Sequence, residues 1–133
     1  MSFSSQVRKI TANVKDDADK LVRSTLLAIY RDTIIGTPVL TGRLRNNWFT
    51  SLGEASIEER DGTGTKSSPE SSSRAISIAV STVGRLDHTR PIYFTNNLPY
   101  AMITEFGGVV NGKVRSGNRM LNRAIDVHMR RFR

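Results

Sequence analysis

From Ser4 to Ile35 the apolar positions recur at steps of three and four. Val7, Ile10, Val14, Ala18, Leu21, Thr25 and Ala28 fall on one face of a helix. Val22, Leu26 and Ile29 widen that face in its second half, and Lys9, Lys15, Asp16, Asp17, Asp19, Lys20 and Arg23 mostly fill the other side. Ser4 or Ser5 is placed to cap the start, Gly36 to cap the end, and Pro38 to prevent continuation. A helix over 4–35 reaches roughly 45 Å, more than a small domain needs, so part of it is expected to project or to pack on a neighbour.

The pattern then changes. Thr37 to Arg43 reads as a turn-rich loop, and Asn47 to Leu52 as a strand with Trp48, Thr50 and Leu52 on one face, extendable through Ala55–Ile57. Glu58 to Ser73 holds no large apolar residue and predicts a flexible surface loop. Arg74 to Leu86 fits both periods, and helix is preferred because Ser71, Ser72, Ser73 and Ser77 offer capping groups. Pro91 to Thr95 is a β-branched and aromatic strand ending at Asn96-Asn97. Pro99 opens a turn or short helix through Ile103, closed by Gly107-Gly108. Asn111-Gly112 then sits between Val109-Val110 and Lys113-Val114 as a two-residue hairpin turn. A final helix is expected over 118–132, with Met120 or Leu121, Ala124, Ile125, His128 and Met129 inward. The whole predicts one α+β domain over 1–133: a long N-terminal helix, a small, mostly antiparallel sheet and a C-terminal helix.

Charge sharpens this picture. Among 133 residues, 20 are Lys or Arg against 12 acids, a formal charge of +8. After Glu105 the only acid is Asp126, so the excess gathers in the C-terminal third and calls for a polyanionic neighbour. With no cysteine, disulfides and thiolate metal sites are excluded. The opening Met1-Ser2-Phe3-Ser4 does not read as a signal peptide, and no apolar run suits a membrane span.

Candidate chemistry is sparse. His88 and His128 lie 40 residues apart without a neighbouring acid-and-nucleophile pattern; the first reads as a loop residue and the second as half-buried packing. Gly62-Thr63-Gly64-Thr65-Lys66 lacks the first glycine, the Lys-Ser/Thr end and the preceding strand of a phosphate loop. No catalytic residue, metal ligand or cofactor site is assigned. Arg115, Arg119 and Arg123, spaced by four, would line one helix edge if the last helix starts early enough. They would contact DNA phosphates or an acidic ring, or simply form a solvated face. No sequence-reading motif accompanies them, so any DNA contact would be electrostatic and sequence-blind.

Two blocks go further: TPVLTGRLRNNW (Thr37 to Trp48) directly after the long helix, and IYFTNNLPYAMITEFGG (Ile92 to Gly108). In this order they resemble the tail-completion, or neck, proteins of long-tailed bacteriophages, over roughly residues 5–108. Leu40 stands where that family often has a polar residue, and the chain departs from the family pattern after Gly108. Structural roles suit the block residues. Pro38 and Gly42 shape a tight turn, which presents Arg43 and Arg45 for pairing with Glu105 of the same or a neighbouring subunit. Trp48 belongs to the core, Asn96 and Asn97 hold the strand exit, and Pro99-Tyr100 wedges the turn against the sheet, with Gly107 at its end. The resemblance implies a virion protein of the neck, assembled in the host cytoplasm as a ring, typically a hexamer. Its partners would be a head-completion or connector protein above and a tail tube or terminator below, with DNA passing through and no membrane contact. Another small virion role, a sequence-blind DNA-binding protein and, least supported, a nuclease are the competing readings.

Overall fold

A computed structural model of the chain describes residues 2–38, 43–60, 70–87 and 89–132. The fold is α+β. In chain order it comprises α1 (Phe3–Gly36), α2 (Arg43–Asn46), β1 (Trp48–Leu52), α3 (Glu70–Gly84), β2 (Ile92–Asn96), α4 (Ala101–Phe106), β3 (Gly107–Val110), β4 (Lys113–Ser116) and α5 (Met120–Met129). A single 3-10 turn, Arg130–Phe132, follows. The strands form two separate antiparallel pairs, β1–β2 and β3–β4, rather than one sheet.

α1 runs unbroken for 34 residues because no glycine or proline interrupts it before Gly36. The cap at its start is Ser2, whose Oγ accepts from the Ser5 N–H at 3.2 Å, and not Ser4 or Ser5. At its end the cap is Thr37 in an extended conformation, with its N–H on the Ile34 carbonyl. Gly36 is the last helical residue, so it does not supply the expected left-handed cap. Only the second half of α1 is covered, where it packs on α3 and α5.

β1 and β2 pair with Trp48 opposite Asn96 and Leu52 opposite Ile92. Strand β1 stops at Leu52 because Gly53 turns the chain at φ 85°, so Ala55–Ile57 does not extend it. One core cluster joins Ile34, Leu44, Trp48, Ala75, Leu98, Ala101 and Met120. A second joins Ile29, Tyr30, Ala79, Val83 and Ala124. Ala75, Ala79 and Val83 fall at steps of four, so α3 presents a narrow face to α1. Phe94 bridges the clusters: its ring stacks on Tyr30 at 4.2 Å and on Trp48 at 4.6 Å between centroids. Burial pushes the Tyr30 phenol above its ordinary pKa.

The segment expected to be a flexible loop over 58–73 divides. Residues 61–69 lie outside the described residues, but 58–60 are pinned to the body and 70–73 form the start of α3.

The β3–β4 hairpin turns at Asn111 (φ 51°) and Gly112 (φ 76°), as the Asn-Gly signal requires. Its base is a tight crossing. A Cβ on Gly117 would lie 2.5 Å from the Glu105 carbonyl oxygen, and one on Gly107, itself at φ 82°, would lie 2.6 Å from that of Arg115. Backbone meets backbone there, so no side chain can yield. Gly117→Ala is expected to cost about 1–3 kcal/mol by overpacking, read as a lower urea midpoint at an unchanged slope.

Candidate functional site

The residues of the two blocks converge around the end of α1. Trp48 donates from Nε1 to the Thr37 hydroxyl at 2.8 Å, and that hydroxyl donates to the Thr33 carbonyl at 2.7 Å. Arg45 sits under the helix terminus, its Nη2 giving 2.8 Å bonds to the carbonyls of Ile35 and Thr37. It thereby satisfies acceptors that a helix end leaves open, with a cation where the dipole favours one. Burial lowers the Arg45 pKa from its ordinary value. Asn47 treats the Arg60 backbone as a strand partner: its Nδ2 donates to the Arg60 carbonyl and its Oδ1 accepts from the Arg60 N–H, both at 2.7 Å. The Arg60 guanidinium in turn lies 4.6 Å from the centre of the Phe49 ring.

Asn96 donates to the Leu44 carbonyl at 2.9 Å, and Asn97 donates to those of Ser56 and Glu58. Both asparagines hold the strand exit, but by reaching segments distant in sequence. Pro99 and Tyr100 do not wedge the turn, since both are exposed; the buried neighbour Leu98 fills that place. Pro38 is exposed just past α1, and Gly42 lies outside the described residues.

The expected pairing of Arg43 and Arg45 with Glu105 is not made within the chain. Arg43 bonds the Arg60 carbonyl and lies 3.6 Å from Glu59. Glu105 is buried, and its two carboxylate oxygens accept from the N–H groups of Leu121 and Asn122, each at 3.0 Å. It is the cap of α5, delivered from another helix. Arg119, the residue at the conventional cap position, is left-handed (φ 55°) and makes no side-chain cap bond.

This overturns the arginine ladder as a helical feature. Arg115 belongs to β4, Arg119 to the bend before α5, and only Arg123 to α5. Arg115 and Arg123 nonetheless line one groove together with Pro38 and Ile103. Neither guanidinium has a hydrogen-bond or ion-pair partner among the described residues. The last helix also starts at Met120, not Asn118. Met120 and Ala124 are its buried residues, whereas Ile125 and Met129 lie on its exposed shoulder.

His128 does more than pack. Its Nε2 lies 2.5 Å from Asp32 Oδ2 and ties α5 to α1. His88 lies outside the described residues. Asp87 Oδ1 accepts from the Thr89 N–H at 2.8 Å. Bonds from the Thr89 hydroxyl and N–H lower the Asp87 pKa. Among the described residues no three His, Asp or Glu side chains are grouped to hold a metal, and no helix is long and apolar enough to cross a membrane.

The first half of α1 is left uncovered by the other described residues. Every residue from Phe3 to Ala18 is exposed, so the helix leaves the body as an arm of roughly 24 Å. Ile10 and Val14 on its apolar stripe are each 63% exposed. Neither a protein-family model nor a curated protein nor a solved structure matches the chain.

Proposed function

We propose that this chain is a structural subunit of a bacteriophage neck. It would form a ring, six-fold in the family it resembles, that joins the connector of the DNA-filled head to the tail tube and leaves a channel for DNA. The observation that carries the reading is the meeting of the two sequence blocks. Trp48 of the first pairs with Asn96 of the second, Asn96 holds the Leu44 carbonyl, and Phe94 stacks on Trp48. The residues behind the resemblance thus build one joint rather than two unrelated turns.

The uncovered arm supports an assembling subunit, because monomeric soluble proteins rarely leave a long apolar stripe in water. The reading contains no chemical step. Its flanking partners would be a head-completion or connector protein above and a tube or terminator protein below. Electron cryo-microscopy of intact virions tests it: the chain should trace as a closed ring between connector and tube. A neck from which it is absent sinks the proposal.

A second reading has one observation in its favour. The unpaired Arg115 and Arg123 could serve a sequence-blind DNA contact. Its affinity for duplex DNA would then fall steeply and log-linearly with salt, with a slope that flattens when both are replaced.

A further inference from the structure

Two surfaces of this chain fit each other but cannot meet within one molecule. The first is the contact face of the α1 arm. Successive helix residues turn by about 100°, which puts Phe3, Val7, Ile10 and Val14 on one stripe and Asp17 at its border. Lys15 and Lys20 fall on the flanks, and Arg8, Lys9, Asp16 and Asp19 towards the back. The stripe therefore offers an apolar ridge with a single nearby charge, the carboxylate of Asp17, which is exposed and has no partner among the described residues.

The second surface is the groove beside the hairpin base. Its apolar lining is Pro38 and Ile103, and its charged groups are the guanidinia of Arg115 and Arg123, which have no partner among the described residues. Thr104, Ser116, Gly117 and Asn118 complete its lining among the described residues, and no carboxylate is among them; Asp32 shares with Arg123 a separate, adjoining hollow. Asp17 lies about 20 residues before the groove along a straight helix, roughly 30 Å away. A contact between the two must be intermolecular, and it joins different patches on the two copies.

We infer that the α1 arm of one copy docks in the Arg115–Arg123 groove of the next, with Asp17 between the two guanidinia and the apolar stripe on Pro38 and Ile103. Such a head-to-tail contact propagates, and it closes into a ring when the rotation between copies allows. The inference deepens the ring reading and rests on it for closure alone. Apolar burial supplies most of the affinity, and the ion pair selects the register and excludes α1-to-α1 pairing.

The test is a charge swap on the full-length chain, with oligomer mass measured across concentration by light scattering after size exclusion. Asp17→Arg gives a basic arm and a basic groove. Arg115→Glu with Arg123→Glu gives an acidic arm face and an acidic groove. Each variant alone should need at least about tenfold more protein than the wild type to assemble, with an unchanged circular-dichroism spectrum showing that it is folded. Mixed in equal amounts they should assemble again, because each arm then meets an opposite charge, and the product should hold both variants in alternation.

Wild-type assembly that survives Arg115→Glu with Arg123→Glu overturns the inference and leaves the ring reading standing, with the interface elsewhere. The same variant losing DNA retention while assembling normally overturns it in favour of nucleic acid. A wild-type chain that stays monomeric at every concentration also overturns it; the neck assignment is then judged separately, by whether the chain occupies the neck density of virions.

Discussion

Trp48→Ala is expected to destabilise the fold by about 3–5 kcal/mol, the usual cost of emptying a large aromatic site in a core. For a domain of this size that lowers the thermal midpoint by roughly 10–20 °C. The loss has two sources. The indole is one end of a three-ring stack with Phe94 and Tyr30, so its removal uncovers both core clusters at their bridge. Its N–H also supplies the bond to Thr37 that ties β1 to the end of α1. Trp48→Phe separates the sources: it keeps a ring in the stack and should cost about 1 kcal/mol for the missing bond plus a smaller packing loss. Calorimetric midpoints of the two variants check this. Equal, small shifts would mean that the stack contributes little.

Glu105→Ala should be the next largest change, about 2–3 kcal/mol. Both carboxylate oxygens accept from the first turn of α5, and truncation leaves the Leu121 and Asn122 N–H groups without their charged acceptor. Glu105→Gln should recover about half of that loss, because an amide has one acceptor oxygen and turns its donors towards the other N–H. Amide hydrogen exchange gives the local readout: protection should fall at 121 and 122 in the alanine variant. Unchanged exchange there would show that the cap is dispensable.

The same residue illustrates what the sequence could not convey. The period of α1, the strand-forming residues of β1 and β2 and the Asn-Gly turn are local signals, and each produced its element within a few residues of the expected place. The capping of α5 is not local. The acceptor for its first turn comes from residue 105, so nothing near Arg119 advertises that the helix must begin at Met120. Reading the arginines at steps of four as a ladder failed for that reason. The Gly107–Gly117 crossing was half visible: Gly107 ends a helix and is marked by its neighbours, whereas Gly117 is required only because another backbone passes it.

The candidate site was legible in its parts and not in its arrangement. Asn47 and Arg60 meet across 13 residues, and Thr37 meets Trp48 across 11, through bonds that a one-dimensional pattern does not hold. Arg45 was expected to seek a carboxylate and instead closes a helix end, because the nearest unsatisfied acceptors are carbonyls. Of the apolar stripe expected on α1, Thr25 and Ile29 are buried, whereas Val7, Ile10, Val14, Leu21 and Val22 stay exposed. Periodicity records only that a face exists, and it cannot say which half of it the chain covers for itself.

That α1 is one uninterrupted helix couples the length of its arm to the direction the arm faces. Removing one residue between the body and the tip would shorten the arm by about 1.5 Å but swing everything beyond the cut by about 100° around the axis. Removing seven would shorten it by about 10 Å while rotating the tip by only about 20°. Length variants of this protein should therefore be tolerated in phase, near whole numbers of turns, and fail between them. The arm behaves like a screw thread, in which reach and bearing cannot be set independently.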